Sequence, residues 1–388
     1  MRIYLSRPDI TEKEIDAVRD VLLSPDLSLG PRVVAFERAF CEYIGRRRAI
    51  AVANGTSGLF LCLSVLGIGP GDEVLTTPFT FISSATSIMM AGARPIFVDI
   101  DPVSLNIDPG QVESGITERT RAILPVEVFG NPAGLDRVCE IAARHDLRVI
   151  EDCCEALGSA LNGTKAGAFG TMSVFGFYPN KQITTGEGGM ILTDADDLAE
   201  TCVSLRNQGR GKGDGWPTHE RLGYNFRLSD INCALGTVQL SRIDEIKAKR
   251  RRVAQWYQEM LAGEPRLIAP AEPKDCDLSW FVFVVRLTDD FTVEQRDRIL
   301  RQMTGRNIQV SNYFSPVHLT PFIAGQFGYQ KGDFPVAEST SQRTIALPFH
   351  NHLAKDEVAI VCRNLREALD NLPSTASTPA YSCPHPAR

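Results

Sequence analysis

The chain has 388 residues, of which 43% are hydrophobic and 23% charged, which is typical of a globular protein with two or three structural units. Its 41 basic and 47 acidic residues give a net charge of −6, so bulk electrostatics attract it neither to nucleic acid nor to an anionic membrane. The sequence shows no secretory leader, no apolar run of membrane length and no metal-type spacing among its ten cysteines, and we expect a cytoplasmic protein without a metal.

Two helices are predicted at the start of the chain, over residues 9–24 and 33–44, because apolar residues recur there at helical spacing. From about residue 49 to 200, short runs rich in Val, Ile and Phe alternate with helical stretches. These runs are 49–53, 73–77, 94–98, 122–126, 148–150, 172–177 and 190–193. Such alternation predicts an α/β fold in which a mainly parallel, seven-stranded sheet lies between helices.

One long helix is predicted over residues 230–260, and a Pro-rich break follows it. The next section returns to strand and helix signals, which predict a smaller α+β unit. These signals are strands over 280–287 and 308–311 and helices near 293–303 and 355–370. We therefore assign residues 1–250 to a large domain, 251–372 to a small domain on which the N-terminal segment can also pack, and 373–388 to a flexible, low-complexity tail.

Two polar groups follow strands in the predicted sheet. The strand at 148–150 leads into Glu151 and Asp152, and an acid at the carboxyl end of a parallel strand lies where open α/β sheets bind ligands. A helix cap or a surface acid is the alternative. The aromatic strand at 172–177 leads to Lys181 in a loop rich in Thr and Gly, a setting that favours a desolvated, reactive amine over a surface charge.

A third element is the turn from a strand into an apolar helix at Gly55, Thr56 and Ser57. Small residues at a helix N-terminus leave backbone N–H groups free for a phosphate, although Ser and Thr also cap many ordinary helices. An amine, a buried carboxylate and a phosphate cradle are the groups that pyridoxal 5′-phosphate (PLP) requires. No nucleotide-binding glycine fingerprint offers the cradle another use.

With these motifs in order, the chain resembles the DegT/DnrJ/EryC1/StrS sugar aminotransferases, which are fold type I (aspartate aminotransferase-like) PLP enzymes. The resemblance extends over roughly residues 3–370. Its landmarks include 27–31 (Leu-Ser-Leu-Gly-Pro), 54–57 (Asn-Gly-Thr-Ser), 97–101 (Phe-Val-Asp-Ile-Asp), 177–181 (Phe-Tyr-Pro-Asn-Lys), 223–227 (Gly-Tyr-Asn-Phe-Arg) and 316–319 (Pro-Val-His-Leu). The resemblance implies a PLP-dependent aminotransferase that forms a homodimer with active sites at the subunit interface.

The resemblance also implies roles for individual residues. Lys181 corresponds to the Schiff-base lysine and proton shuttle, and Asp152 to the partner of the pyridine nitrogen. The remaining cofactor-binding residues are Gly55, Thr56 and Ser57 at the phosphate, Phe81 stacked on the ring, and Asn225 or Arg227 reaching the phosphate of the neighbouring subunit. The alternatives are core packing for Phe81, and an ordinary loop hydrogen bond or surface ion pair for Asn225 and Arg227.

Two positions depart from the family pattern. Gly176 stands where the family often has a phosphate-binding serine, so the alternatives are a lower affinity for PLP or compensation by other donors, such as the cationic Arg227. Glu155 stands where the family often has Gln or His near the phenolic oxygen of the cofactor. A carboxylate there is repulsive unless it is protonated or turned away, which leaves its role open.

For the substrates, the resemblance implies L-glutamate as amino donor and a nucleotide-linked keto-deoxy sugar as acceptor. The segment at 184–189, which contains Glu187, resembles members that aminate carbon 4 more than members that aminate carbon 3. Tyr313 and His318 are further substrate-site candidates, with a structural histidine as the alternative for His318. The rival functions are a keto-cyclitol aminotransferase of aminoglycoside biosynthesis, a sugar 3-dehydrase, which the presence of Lys181 disfavours, and a non-enzymatic regulatory relative.

Overall fold

The computed structural model describes residues 2–211 and 218–372, so the predicted flexible tail at 373–388 lies outside the described residues. The α-helices are α1 (Glu12–Leu22), α2 (Pro31–Ile44), α3 (Gly55–Val65), α4 (Ser83–Met90), α5 (Pro109–Val112), α6 (Leu135–Arg144), α7 (Asp196–Arg206), α8 (Asp230–Ser241), α9 (Ile243–Leu261), α10 (Val293–Gly305), α11 (Pro321–Phe327), α12 (Pro335–Arg343) and α13 (Lys355–Asp370). The strands are β1 (Arg48–Val52), β2 (Glu73–Thr76), β3 (Arg94–Phe97), β4 (Thr120–Ile123), β5 (Arg148–Asp152), β6 (Ala160–Leu161), β7 (Thr164–Lys165), β8 (Met172–Gly176), β9 (Gly189–Thr193), β10 (Leu267–Ile268), β11 (Cys276–Asp277), β12 (Phe283–Leu287) and β13 (Thr344–Leu347).

The main sheet has seven strands in the order β1-β9-β8-β5-β4-β2-β3. The neighbours from β8 to β3 pair in parallel, whereas β9 runs antiparallel to both β8 and β1. Every residue of β2 and β9 is buried, as expected of strands covered on both faces. The predicted seven-stranded, mainly parallel α/β sheet is therefore confirmed, and the chain returns from β8 to β9 through a loop at residues 177–188 rather than through a crossover helix.

A second core lies in the C-terminal part of the chain. Strands β10, β12 and β13 form an antiparallel sheet, and helices α9, α10 and α13 contribute to the same buried cluster. Tyr257, Phe283 and Leu365 are fully buried there. The N-terminal residue Ile3 joins this core and pairs through its backbone with Ile308. The predicted smaller α+β unit is thus present.

Two sequence-based predictions about this half of the chain are wrong. Residues 230–260 form two helices, because the chain leaves helical geometry at Arg242 between α8 and α9. The guanidinium of Arg242 is buried against the carboxylates of Asp9 (3.2 Å) and Glu14 (2.6 Å), so the break places this cation within reach of its partners. Residues 308–311 form isolated backbone bridges instead of a strand.

Within the described residues, no helix combines the length and the apolar character that crossing a bilayer requires.

Candidate active site

The ends of four strands and the start of α3 meet at one edge of the main sheet. Val52 at the end of β1 and Gly176 at the end of β8 both pair with Gly189, the first residue of β9. On the other side of β8, Asp152 at the end of β5 pairs with Val174. The register therefore brings the carboxyl ends of β1, β5 and β8 together, where open α/β sheets place their ligand sites.

Asp152 is the last residue of β5 and is only 5% exposed. Its carboxylate accepts hydrogen bonds from the Ser84 hydroxyl (2.7 Å) and from the Cys154 N–H (3.2 Å). The Ser84 hydroxyl is itself 2.9 Å from that of Thr80. These contacts fix the orientation of a buried carboxylate at the edge of the sheet.

Lys181 lies in the return loop between β8 and β9, with 15% of its side chain exposed. Its Nζ is 3.5 Å from Oε1 of Glu155 and 4.2 Å from the centre of the Phe281 ring. The Arg250 guanidinium donates to the Lys181 carbonyl oxygen (3.0 Å) and so fixes the backbone of the loop. The amine is therefore held between a carboxylate and an aromatic face, largely away from water.

Glu155 is the carboxylate that faces this amine. It is buried, and its Oε2 accepts a hydrogen bond from the Phe129 N–H (2.8 Å). Burial raises the pKa of Glu155 and the nearby carboxylate of Asp152 raises it further, whereas Lys181 and the Phe129 N–H act in the opposite direction. Glu155 thus depends on a few specific neighbours to carry a negative charge.

The start of α3 forms the third part of the site. Asn54 caps the helix, because its Oδ1 accepts from the N–H (2.8 Å) and hydroxyl (3.0 Å) of Ser57. The first N–H groups of a helix, here those of Gly55 and Thr56, have no partner within the helix and are the usual donors to a phosphate. A Cβ atom on Gly55 would lie 2.7 Å from Sγ of Cys154, so the cradle packs directly against the loop that carries Asp152 and Glu155.

Tyr313 and Asn180 line the same crevice. Burial raises the pKa of the Tyr313 phenol and the neighbouring Glu155 raises it further, while Asn180 lowers it. The Tyr313 ring stacks with Phe129 (centroids 6.4 Å apart). Oδ1 of Asn180 is buried and has no hydrogen-bond partner among the described residues. A buried acceptor without a partner is a position where a ligand can supply the missing donor.

Taken together, these groups fit PLP. The structure brings an amine, a buried carboxylate and a helix N-terminus together at one edge of the sheet, and the unpartnered oxygen belongs to Asn180, the residue before Lys181. These are the donors and acceptors that the charged phosphate, the ring nitrogen and the aldehyde of this cofactor need.

Other predicted site residues lie further out. Phe81 is 61% exposed, and Glu187 is exposed on the return loop, where its carbonyl oxygen accepts a hydrogen bond from the Thr185 hydroxyl (2.7 Å). Neither side chain packs in the core of this chain. Both are therefore accessible to a ligand or to another protein.

The segment with Asn225 and Arg227 runs beside the cradle of its own chain. The carbonyl oxygen of Phe226 accepts a hydrogen bond from the Ala53 N–H (2.8 Å), one residue before the cap of α3. Asn225 is exposed, whereas the guanidinium of Arg227 donates to Oδ1 of Asn207 (2.9 Å). This contact is an ordinary loop hydrogen bond, which is the alternative to a phosphate-binding role for Arg227.

His318 has no exposed surface. Its Nε2 lies 3.1 Å from Oε1 of Glu338, and its ring packs against Phe334 and Phe97. Desolvation in this environment lowers the pKa of His318, although Glu338 opposes the shift. These are the contacts of a structural histidine.

Sequence reasoning missed several residues that shape the site. Ser84 orients Asp152, and Phe281 lies against Lys181. The Phe129 N–H binds Glu155, and Cys154 packs against Gly55. Ser84 follows Phe81 by three positions, so its nearness in sequence to a predicted site residue was the one local signal for it. Phe281 follows Lys181 by 100 positions, and nothing local in the sequence marks it.

Comparison with known proteins decides the family. The model of the DegT/DnrJ/EryC1/StrS aminotransferase family matches residues 8–366. The chain belongs to this family. It is a PLP-dependent sugar aminotransferase, and the resemblance inferred from its motifs is confirmed.

Its relatives in the family match along most of their length. The GDP-perosamine synthase of Caulobacter vibrioides is 37% identical over 95% of this chain and 98% of its own. The spore coat polysaccharide biosynthesis protein SpsC of Bacillus subtilis is 36% identical over 93% and 96%. Among solved structures, the PLP form of the sugar aminotransferase Spr1654 of Streptococcus pneumoniae, which is described as putative, superimposes with a TM-score of 0.90 at 27% identity, over 95% of this chain and 99% of that one.

Proposed function

We propose that this aminotransferase transfers the amino group of L-glutamate to carbon 4 of a nucleotide-linked 4-keto-6-deoxy sugar. The observation that carries the proposal is the buried amine of Lys181, held 3.5 Å from Glu155 in a crevice shared with Asp152 and the start of α3. The choice of carbon 4 is supported by the similarity to GDP-perosamine synthases, which aminate carbon 4, and by the segment at 184–189.

In this proposal each of these groups has a defined role in binding the cofactor or in moving a proton. The Gly55, Thr56 and Ser57 end of α3 binds the phosphate of PLP, and the Asp152 carboxylate holds the ring nitrogen protonated. When bound, the cofactor supplies the electron sink that makes removal of a proton from the donor's α-carbon possible. Lys181 binds the cofactor through Nζ, and the same nitrogen then moves that proton, which requires a neutral amine.

The outer residues support a homodimer with shared active sites. Phe81 is exposed in the single chain, and so are Asn225 and Glu187. Leu23 (81% exposed), directly after α1, and Val34 (66% exposed), in α2, add apolar surface near the N-terminus. Exposed apolar side chains of this size are typical of surfaces that another subunit covers. We assign Phe81 to the cofactor face, Asn225 and Arg227 to the phosphate of the partner subunit's site, and Tyr313 and Glu187 to the sugar.

The first test is the visible absorption spectrum of the purified protein with PLP, before and after addition of L-glutamate. We expect a yellow band in the wild type that L-glutamate bleaches, and we expect the Lys181→Ala variant to lack this behaviour. GDP-, UDP- and dTDP-linked 4-keto-6-deoxy sugars are then screened for return of the band. Identical spectra for wild type and variant would remove Lys181 from the chemistry, and a band that ignores L-glutamate would contradict the proposed donor.

A further inference from the structure

The two oxygens of the Glu155 carboxylate have different partners. Oε2 is bound to the backbone N–H of Phe129 (2.8 Å), whereas Oε1 faces Nζ of Lys181 (3.5 Å). Both side chains are largely buried, with 7% of Glu155 and 15% of Lys181 exposed. The pair is therefore an ion pair in a region of low polarity, where its energy depends strongly on the charge of each partner.

The surroundings supply little else to balance a negative charge on Glu155. The neighbouring Asp152 carboxylate repels it. The guanidinium of Arg250 is buried nearby, but it donates to the carbonyl oxygens of Lys181 (3.0 Å) and Phe281 (3.0 Å). The titratable and charged groups around the pair are Asp152, Cys154, Tyr313 and Arg250. The protonation of Glu155 therefore depends on whether Lys181 carries its positive charge.

This dependence has a direct chemical consequence. If Lys181 loses its positive charge, Glu155 keeps one backbone N–H as a partner and remains next to Asp152. A buried carboxylate in that position is more stable with a proton than without one. Loss of a proton by Lys181 and gain of a proton by Glu155 therefore favour each other.

We propose that Glu155 is a positioning residue that takes and stores the proton of Lys181, so that Lys181 becomes the neutral base which the proposed function requires. An N–H bond of Nζ breaks, its electron pair stays on nitrogen, and an O–H bond forms at Oε1 of Glu155. The proton returns by the reverse step, without exchange with solvent. The separation of 3.5 Å shortens during the step, since contacts of this kind are often long before substrate binds. The inference rests on the proposed function, because it assigns Lys181 the role of base.

The matched variants are Glu155→Gln and, as a control, Asp277→Asn. Glutamine keeps an acceptor for the Phe129 N–H and removes only the charge, so the fold should persist. Asp277 pairs with Lys247 at 3.2 Å in an exposed position, and its substitution removes a carboxylate from a lysine outside the site.

The first measurement uses the full-length protein without PLP. Its lysines are labelled with trinitrobenzenesulfonate over a range of pH, and labelling of Lys181 is followed by mass spectrometry. Loss of the carboxylate removes a charge that stabilises the ammonium form of the amine, so we expect the midpoint of labelling to move to lower pH in Glu155→Gln, by about one pH unit or tenfold. The Asp277→Asn midpoint should equal that of the wild type. Equal midpoints in all three proteins would overturn the inference.

The second measurement detects the stored proton itself, which a merely structural role would not produce. In the infrared difference spectrum between PLP-loaded and PLP-free protein, the wild type and Asp277→Asn should gain a carboxylic-acid C=O band that Glu155→Gln lacks. A band of equal size in all three proteins, or in none, would contradict proton storage by Glu155.

If PLP fails to load on Lys181 while the labelling midpoint still shifts, the proposed function is wrong and the ion pair stands. If PLP loads and L-glutamate bleaches the band while neither signature appears, the proposed function stands and this inference is wrong.

Discussion

Glu151 and Asp152 are neighbours in β5, but their side chains point to opposite faces of the sheet and have different partners. The Glu151 carboxylate accepts three backbone N–H groups, from Gly167 (2.8 Å), Phe169 (2.9 Å) and Gly170 (2.5 Å). Asp152 accepts a serine hydroxyl and one backbone N–H. Fixed backbone groups occupy both oxygens of Glu151, whereas Asp152 has fewer backbone partners and lies at the sheet edge near Lys181 and Glu155.

Glu127 and Cys153 lie next to Glu151. One carboxylate oxygen of each glutamate and Sγ of Cys153 are within 4.8 Å of one another. Both carboxylate oxygens of Glu127 are buried and have no hydrogen-bond partner among the described residues. Burial raises the pKa of Glu127 well above its usual range, and the charge of Glu151 adds to the shift. Burial also raises the pKa of Glu151, but its three backbone N–H donors oppose that shift, so Glu127 is the carboxyl of the pair whose charged form is less stabilised.

The largest effect is expected from removing the charge on the active-site face. Asp152→Asn keeps an acceptor for Ser84 but cannot hold a protonated ring nitrogen. We expect the rate of the L-glutamate half-reaction to fall by about 10²–10³-fold, as when one fixed electrostatic contact is removed from an active site. Stopped-flow absorbance measures this rate, and thermal unfolding close to that of the wild type serves as the control. An unchanged rate would exclude the assigned role of Asp152.

The corresponding change at Glu151 should affect stability instead. Glu151→Gln presents an NH₂ group to backbone N–H donors, which leaves them buried without an acceptor. We expect the free energy of unfolding to fall by about 3 kcal/mol while the rate per folded molecule stays nearly unchanged. Urea unfolding and active-site titration separate the two quantities. A Glu151→Gln variant that is stable but inactive would contradict this prediction, because Glu151 would then act in the reaction and not in stability.

The raised pKa of Glu127 predicts a pH-dependent effect of Glu127→Gln on stability. Because the pKa is raised in the folded protein, the contribution of Glu127 to stability is complete below the ordinary pKa of a carboxyl group and is lost as pH rises through the folded-state value. The variant has no proton to lose. Its stability relative to the wild type should therefore increase by about 1.4 kcal/mol per pH unit between the ordinary carboxyl pKa and the raised folded-state pKa.

Urea unfolding of Glu127→Gln and wild type at pH 5, 6 and 7 measures this slope. The groups that face Glu127 are Glu151, Asp152, Cys153 and Cys139. A pH-independent difference between the two proteins would mean that Glu127 is ionised in the fold.

The smallest effect concerns Cys154, which lies on the active-site face one residue after Cys153. Gly55→Ala should cost about 1 kcal/mol, because the new Cβ would lie 2.7 Å from Sγ of Cys154. Removal of the sulfur in Gly55→Ala/Cys154→Ala should recover most of this loss. The interaction energy from the double-mutant cycle measures the contact, and strict additivity would show that Cys154 does not limit the space at Gly55.

Much of the fold was predictable because its signals are local. Fully buried parallel strands appear in the sequence as short continuous apolar runs, and each of the seven runs corresponds to a strand of the sheet. Asp152 ends β5, and Gly55 and Lys181 follow soon after the ends of β1 and β8, so sheet geometry brings the three segments to the same edge. Their chemical roles remain predictions until the cofactor is measured on them.

The rest depends on contacts between distant residues. The break at Arg242 follows from burying its guanidinium against Asp9 and Glu14, more than 220 positions earlier, which helical periodicity does not reveal. The partner of Glu155 was likewise not predictable, because the distance to Lys181 is set by the loops after β5 and β8. Tertiary contacts of this kind override local preference.

The return loop at residues 177–188 has a consequence for how such enzymes diversify. Its two ends meet, since Gly176 pairs with Gly189 and the Phe177 N–H donates to the Gly188 carbonyl oxygen (2.9 Å). Lengthening a loop whose ends are already closed costs little, because the entropy of closure grows only with the logarithm of length. Small insertions at the exposed Gly186 and Glu187 can therefore accumulate without loss of the sheet, so this part of the loop can change over evolutionary time while the strands on either side of it stay fixed.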